Sequence, residues 1–283
     1  MGQGRVHVPI AVIPFPDLHP VAFSIGPLAV RWYGLAYMAG LLLGWLFVRR
    51  LLSTPSIWPG GQAPLATDKV DDLLLLMTLG VVVGGRLGYV LFYKPADYLA
   101  NPAEIFAVWK GGMAFHGGFL GSVVAVLLFA RRHAQNPLTV FDLAAAATPI
   151  GIFFGRLANF VNGELWGRAS NVPWAMIFPD PEAGGIARHP SQLYEAATEG
   201  LILFAVIAWL IYRLQALSRP GLVAGVFTAG YGIARSFCEL FREPDPTHWA
   251  TVGLMTPGIL YSLPMIAAGA YLIYRAQSMG QPA

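Results

Sequence analysis

The stretch from Gly155 to Arg168 places Arg156, two asparagines and a glutamate, and then Arg168, at the end of an otherwise apolar run. An ionisable group near the centre of a bilayer costs about 2.5 to 3.5 kcal/mol on insertion scales, so it needs a buried partner or a ligand. Because a guanidinium stays charged and holds phosphate oxygens through a planar fork, an anionic ligand is the first interpretation of Arg156. The alternative is an ion pair with Glu195 or Glu239 from another helix, since Arg156 has no acid within one helical turn. The remaining polar side chains of the stretch are Asn159, Asn162, Glu164 and Arg168.

Two further segments carry polar residues at helical spacing. Arg235 and Glu239 are four residues apart, while Gln192, Glu195 and Glu199 stand at i, i+3 and i+7. On α-helices each set lies on one face, and we expect these faces to point into the protein. For Arg235 and Glu239, a purely structural pair that neutralises two buried charges is the alternative interpretation.

Two more polar residues stand in glycine-rich segments. His116 belongs to the run from Gly112 to Gly118, and Arg86 stands between Gly85 and Leu87. A histidine has an unperturbed pKa of about 6.5, which suits a general base at neutral pH. The alternative for His116 is a hydrogen-bonded residue at the start of a helix.

These polar residues stand in a mainly apolar chain. Of its 283 residues, 56% are hydrophobic and 12% are charged, about half the charged share of a typical soluble domain. The mean hydropathy is +0.57, and apolar stretches recur near the roughly 20 residues that cross a bilayer. The sequence predicts an all-α integral membrane protein with about seven transmembrane helices. Their approximate ranges are 28–48, 71–93, 112–130, 138–161, 191–212, 221–241 and 254–274.

Basic residues predict the orientation, because loops on the cytoplasmic side carry an excess of arginine and lysine. Clusters follow the first, third, fifth and seventh predicted spans, which places the N-terminus in the periplasm and the C-terminus in the cytoplasm. No cleavable signal peptide is visible before Pro27, so the first span is expected to serve as the targeting element. The arginines used here are Arg49, Arg50, Arg131, Arg132, Arg213, Arg219 and Arg275.

The loop lengths predict a single polytopic domain over 1–283. Only the segment 162–190 is long enough for a small loop-rich periplasmic head, and its prolines and glycines favour irregular structure. Four-residue spacing of small residues lets membrane helices approach closely. Such spacing occurs at Gly80, Gly84 and Gly88, at Gly117 and Gly121, and at Gly151 and Gly155.

Charge and cysteine content exclude several function classes. A net charge of +3 without a basic run argues against nucleic-acid binding. A single cysteine, Cys238, excludes an internal disulfide and supplies no metal cluster. We therefore expect no metal site and no cofactor.

The order of the polar segments matches a known family. The segments are Arg31–Leu35, Gly111–Gly118, Gly155–Arg168, His189–Glu195 and Arg235–Asp245. In this order and with these residues the chain resembles the prolipoprotein diacylglyceryl transferases of bacteria, and the similarity extends from about Pro14 to Met265. A signature of 14 residues with four flanking segments is far more specific than a short glycine motif.

The resemblance implies a reaction in the bacterial inner membrane. The diacylglyceryl group of phosphatidylglycerol moves to the lipobox cysteine of a preprolipoprotein, which forms a thioether and releases glycerol 1-phosphate. This displacement needs a thiolate and a stabilised phosphate, and neither a metal nor an enzyme nucleophile. The resemblance implies His116, Arg156 and Arg235 as catalytic residues. The substrate-binding residues that it implies are Tyr33, Asn159, Asn162, Glu164, Gly167, Glu195 and Glu239.

Two alternatives belong to other classes. A transporter of an anionic or lipidic substrate is expected to contain an inverted repeat, and the polar segments have no second copy. A phospholipid phosphotransferase needs an aspartate-rich metal motif, whereas Asp71 and Asp72 stand isolated at a predicted helix start, where acids suit the helix dipole.

Overall fold

The computed structural model describes residues 13–18, 20–244 and 256–278, and it is mainly helical. The long helices are α1 (Trp32–Leu52), α2 (Lys69–Phe92), α4 (Phe115–Arg132), α5 (Pro137–Val161), α8 (Leu222–Glu239) and α9 (Pro257–Ser278). Shorter ones are α3 (Pro95–Ala100), α6 (Ser191–Glu195) and α7 (Leu203–Leu214). A π-helical segment, Ala196–Ile202, joins α6 to α7.

Six helical segments of the described chain are long and apolar enough to cross a membrane. They are α1, α2, α4, α5, the composite of α6 to α7, and α9. Helix α8 occupies the remaining predicted span; its 18 residues extend about 27 Å at the usual rise per residue. The expected all-α membrane architecture with about seven helices is therefore confirmed.

The predicted start of the first span is wrong by four residues. Leu28–Arg31 forms strand β3, which pairs antiparallel with strand β2 (Val21–Ile25) through a turn at Gly26 and Pro27. Helix α1 begins only at Trp32. A short apolar run does not by itself distinguish a strand from a helix end, so the hairpin carried no separate sequence signal.

Glycines allow α2 and α4 to pack with their backbones in contact, as the small-residue spacing predicted. A Cβ atom added to Gly84 would overlap the carbonyl oxygen of Gly117, and one added to Gly80 would overlap that of Gly121. Gly151 of α5 faces α1, because a Cβ atom at Gly40 would come within 3.1 Å of the Gly151 Cα.

A buried carboxylate starts α8. Asp142 of α5 is fully buried and accepts hydrogen bonds of 2.7 Å from the backbone N–H groups of Gly221 and Ala224. The first N–H groups of a helix have no partner within the helix, so a side-chain acceptor stabilises its start. Asp142 thereby fixes α8 against α5, the two helices that carry the candidate site arginines.

The π-helical segment lies within the membrane span formed by α6 and α7. Its Gly200 contacts α5 so closely that a Cβ atom there would come within 2.7 Å of the Phe153 Cβ. Short π-helical segments inside α-helices occur frequently at functional sites. Glu195 ends α6 directly before this segment, and Glu199 lies within it.

The segment 162–190 contains little regular structure, as its prolines and glycines predicted. Strand β4 (Met176–Ile177) pairs in parallel with β1 (Ile13–Pro14) and antiparallel with β5 (Ala187–Arg188). Arg188 connects this small sheet to the turn that follows α8 through an ion pair of 2.9 Å with Glu243.

Candidate active site

Glu195 is the centre of a buried ionic cluster. Its side chain is fully buried, and its Oε1 accepts hydrogen bonds from Arg235 at 2.7 Å and from Arg242 at 3.2 Å. Its Oε2 lies 3.3 Å from Nη1 of Arg156. One carboxylate at the end of α6 thus connects guanidinium groups from α5, from α8 and from the turn that follows α8.

Two more carboxylates complete the cluster. Arg156 donates a hydrogen bond of 3.2 Å to Glu199, and Nη2 of Arg235 lies 2.7 Å from Oε2 of Glu239. Three guanidinium groups and three carboxylates therefore neutralise one another among the described residues. Such compensation is what buried charges require in a medium of low dielectric constant.

The arginines and the carboxylates are not equally accessible. The side chains of Arg156 and Arg235 are 18% and 15% exposed, whereas those of Glu195 and Glu199 are completely buried. A ligand that reaches the cluster therefore meets guanidinium groups first. The carboxylates stand behind them and fix their orientation.

The ion-pair interpretation of Arg156 has a structural counterpart, and the anionic ligand stays a prediction. The expected ion pair with Glu195 is present, and the second partner is Glu199 rather than Glu239. Arg235 forms the expected pair with Glu239 on its own helix and also binds Glu195. These contacts leave further N–H groups of each guanidinium available, because arginine carries five donors.

Three members of this neighbourhood were missed as site residues from the sequence. Arg242 and Glu199 are part of the ionic cluster. Tyr231 is half-buried on α8, one helical turn before Arg235. A spacing signal existed for Tyr231, since it precedes Arg235 by four residues and lies on the same helical face. Arg242 had no such spacing signal, because it follows the end of α8.

A second polar group lies at the end of α5. The side-chain amide of Asn159 donates a hydrogen bond of 2.7 Å to Oε1 of Glu164, and the amide of Asn162 donates one of 3.4 Å to the same oxygen. All three side chains are partly exposed. The predicted binding residues of the signature segment therefore do assemble, although they contact one another and not the arginines in any hydrogen bond of the described chain.

The start of α6 holds the loop after α5 in place. Ser191 donates a hydrogen bond of 3.0 Å to the Leu165 carbonyl oxygen, and Gln192 donates one of 2.6 Å to the Glu164 carbonyl oxygen. Both donors are completely buried. This connection places Glu164 beside the start of the short helix whose last residue is Glu195.

Tyr33 and Gly167 differ in their surroundings. Tyr33 is the second residue of α1, and its hydroxyl lies 3.1 Å from that of Tyr37. Gly167 is buried where two backbone segments cross: its N–H donates to the His189 carbonyl oxygen at 2.9 Å. A Cβ atom at Gly167 would come within 2.5 Å of the Phe241 carbonyl oxygen. Its surroundings are those of a packing position, and its binding role stays a prediction.

His116 lies apart from the ionic cluster. It is the second residue of α4 and is exposed, and its ring contacts those of Phe115 and Tyr261 at centroid distances of 5.7 Å and 5.8 Å. Tyr261 belongs to α9, whose Gly258 packs against the carboxylate of Glu239. Helix α9 therefore contacts both His116, through Tyr261, and a carboxylate of the ionic cluster, through Gly258.

No group of three or more histidine, cysteine, aspartate or glutamate residues suited to a metal ion occurs in the described part of the chain. The acids that do cluster, Glu195, Glu199 and Glu239, are engaged by arginines.

Fold and site together define a class: a multi-pass helical membrane protein whose buried centre presents arginines, backed by glutamates, to a ligand. A family model described as prolipoprotein diacylglyceryl transferase matches residues 20–275. The chain belongs to the prolipoprotein diacylglyceryl transferase family.

Curated relatives extend over nearly the whole chain. The phosphatidylglycerol–prolipoprotein diacylglyceryl transferase of Rhizobium meliloti is 53% identical over 270 residues, which cover 95% of this chain and 96% of that protein. Proteins of the same name from Nitrobacter winogradskyi and Methylocella silvestris are each 52% identical. They match 96% and 95% of this chain, and 93% and 98% of their own lengths.

Proposed function

We propose that the chain transfers the diacylglyceryl group of phosphatidylglycerol to the lipobox cysteine of preprolipoproteins. The names of the relatives supply the lipid and the protein substrate. The observation that carries the proposal is the unequal exposure within the ionic cluster, where the accessible groups are the guanidiniums of Arg156 and Arg235. A phosphodiester anion is the group that such a surface suits. Transport is not favoured, because the relatives are named as transferases.

The reaction is a displacement at carbon. The cysteine sulfur forms a bond to the glyceryl carbon that carries the phosphate, and the bond between that carbon and the phosphate oxygen breaks. Its electron pair stays on the oxygen, so glycerol 1-phosphate leaves and a thioether remains. The thiol proton passes to a base or to the departing phosphate.

In this proposal Arg156 and Arg235 stabilise the leaving phosphate. Arg156 lies on α5 and Arg235 on α8, so two guanidinium groups approach Glu195 from different helices. Donors that are already oriented before charge develops stabilise a transition state without reorganisation. Glu195 and Glu239 then act mainly by holding the forks, since they are more buried than the arginines that they bind.

Glu164, Asn159 and Asn162 are proposed to bind the glycerol head group. They are partly exposed, and they lie on and just beyond the helix that carries Arg156. A carboxylate accepts hydrogen bonds from hydroxyl groups, and amides both donate and accept. Tyr33 is proposed to line the same region from the start of α1.

His116 is proposed as the base for the incoming thiol. Its side chain is exposed, and its ring contacts that of Tyr261 on α9, so an incoming peptide can reach it. A free thiol has a pKa of about 8.5, and a base raises the reactive fraction at neutral pH.

The proposed localisation is the bacterial inner membrane, with the N-terminus and the segment 162–190 in the periplasm and the C-terminus in the cytoplasm. Secreted prolipoproteins reach the site from the periplasmic side. A reporter fused after Ala283 is expected to be cytoplasmic, and one inserted at Gly184 periplasmic. The reverse result at both positions would reject this orientation.

The decisive assay combines the purified protein, vesicles of phosphatidylglycerol and a synthetic lipobox peptide. Mass spectrometry is expected to show the peptide with a diacylglyceryl thioether. A peptide with serine in place of the cysteine and vesicles of phosphatidylcholine are the matched controls. No thioether from fully folded protein would overturn the proposal.

A further inference from the structure

Arg86 is a buried cation whose described hydrogen bonds all go to main-chain oxygens. Its residue is 4% exposed on α2. Its Nε donates to the Ile105 carbonyl at 2.8 Å, and Nη2 donates to the Glu104 carbonyl at 2.5 Å. Its Nη1 donates to the carbonyls of Gly111 and Gly112 at 2.5 Å and 3.2 Å. One guanidinium thus ties both ends of the segment 104–112 to the helix.

The backbone of this segment is shaped to present those oxygens. Gly111 and Gly112 both have φ of +79°, a conformation that glycine adopts without steric cost. A Cβ atom at Gly112 would come within 2.6 Å of the Tyr89 ring and 3.0 Å of Arg86 Nη1. An ion pair of 2.9 Å between Lys110 and Glu104 closes the segment on its exposed side and lowers the pKa of Glu104.

The anchored segment leads directly into the start of α4. Two residues after Gly112, the N–H of Ala114 donates a hydrogen bond of 2.9 Å to the Gly85 carbonyl, next to Arg86 on α2. His116 follows two residues later, and Gly117 then packs against Gly84 and Gly88. The chain on the N-terminal side of His116 is therefore held by Arg86, and the chain on its C-terminal side by helix packing.

We propose that Arg86 is a positioning residue for His116. It fixes the entry to α4 and thereby the place of the imidazole, without touching either substrate. The inference rests on the proposed role of His116 as the base. Lysine does not replace arginine here, because a single ammonium group cannot donate in the separate directions of residues 104–105 and 111–112.

The test is a double-mutant cycle on the thioether-forming assay. Arg86→Lys and His116→Gln are measured singly and together, with Arg50→Lys as the control for an exposed arginine on another helix. A positioned base contributes at least about 10²-fold to rate. We therefore expect Arg86→Lys to lower kcat by about 10-fold or more in the presence of His116. In the His116→Gln background its further effect is expected to be less than about 2-fold, because there is no base left to misplace.

A second readout separates positioning from general structural damage. The kcat of Arg86→Lys is expected to rise with pH as that of His116→Gln does, while its KM for phosphatidylglycerol stays within about 2-fold. Gly112→Ala disturbs the same anchor from the loop side and should give the same pattern, which keeps the test usable if Arg86→Lys does not fold.

The outcomes distinguish this inference from the proposed function. Equal losses from Arg86→Lys with and without His116, or no loss in either background, overturn the positioning role alone. Full activity of His116→Gln removes the proposed base, and the inference fails with it. Absence of thioether formation by the unaltered protein rejects the proposed function itself.

Discussion

Arg235 and Glu195 are joined across two helices by a hydrogen bond of 2.7 Å, and the glutamate of the pair is completely buried. The same carboxylate also lies within ion-pair distance of Arg156 and Arg242. Removing its charge takes away the one carboxylate that these three guanidinium groups share, although Arg156 keeps Glu199 and Arg235 keeps Glu239.

Glu195→Gln is therefore expected to lower kcat strongly while leaving the KM for phosphatidylglycerol equal or lower. The cluster gains a net positive charge, which favours binding of the phosphate. The guanidinium groups, however, lose a carboxylate that fixes their geometry. Loss of one partner of a buried pair costs about 3 to 5 kcal/mol, so a drop of at least about 10²-fold in kcat is expected. Steady-state kinetics check this, with Glu243→Gln as the more exposed control. An unchanged kcat would remove Glu195 from the site.

Arg156→Lys and Arg156→Ala test the phosphate clamp. Lysine keeps the charge but loses the fork, and alanine leaves the phosphate uncompensated. If the contact acts in the transition state, a loss of roughly 10²- to 10³-fold is expected for alanine, with a severe loss for lysine as well. Thioether formation is measured on protein that inserts and purifies normally, with Arg50→Ala as control. A fully active Arg156→Ala would refute the clamp.

His116→Gln is expected to lose less activity than the Arg156 variants, because a thiol ionises without help as the pH rises. Its remaining rate should increase toward the free thiol pKa of about 8.5, as the thiolate fraction grows. The measurement is kcat/KM for the peptide from about pH 6 to about pH 9, a range that includes the free thiol pKa of about 8.5. A flat profile at the level of the unaltered protein would exclude His116 from the chemistry.

Gly167→Ala is expected to destabilise the protein by about 1 to 3 kcal/mol, the usual cost of overpacking. The added Cβ would come within 2.5 Å of the Phe241 carbonyl and 2.7 Å of the His189 carbonyl, and both belong to backbone that cannot move easily. Thermal unfolding in detergent is the measurement. Gly155→Ala is the control, because its Cβ meets nothing within 4 Å. Equal midpoints would contradict the packing role.

His189 predicts a dependence of stability on pH. Burial lowers the pKa of its imidazole below the ordinary value of about 6.5. The unfolded chain then binds a proton more readily than the folded protein, so this contribution is intact above about pH 6.5 and declines as the pH falls below it. The thermal midpoint of the unaltered protein should fall more between pH 7.5 and pH 5.5, a range about one unit either side of that value, than that of His189→Gln. Identical slopes would contradict the prediction.

The sequence determined the membrane class and most of the helices, because hydrocarbon imposes a length and an apolar composition that a single chain reveals. It also indicated the glycine contacts between α2 and α4, since four-residue spacing of small residues is a local property. The hairpin before α1 was not evident, because Leu28–Arg31 continues the apolar run that α1 extends.

For the candidate site, the sequence identified which helix faces carry charged side chains, but not which of these side chains pair across helices. Helical spacing placed Arg235 with Glu239, and it placed Glu195 with Glu199. Only the tertiary structure decided that Arg156 binds Glu195 and Glu199, 39 and 43 residues away, and that Arg242 joins them. Periodicity describes one helix at a time, whereas the choice of partner across helices depends on how they pack.

Arg86 is a further residue for which the sequence indicates a need and only the tertiary structure identifies the partner. The sequence marks it as a charge among glycines within an apolar helix, which demands compensation. In the structure, carbonyl oxygens at both ends of the segment 104–112 compensate this charge, because the loop folds back along α2. Main-chain oxygens are present at every residue, so the sequence cannot say which of them a buried guanidinium will meet, and the folded path of residues 104–112 beside α2 decides it.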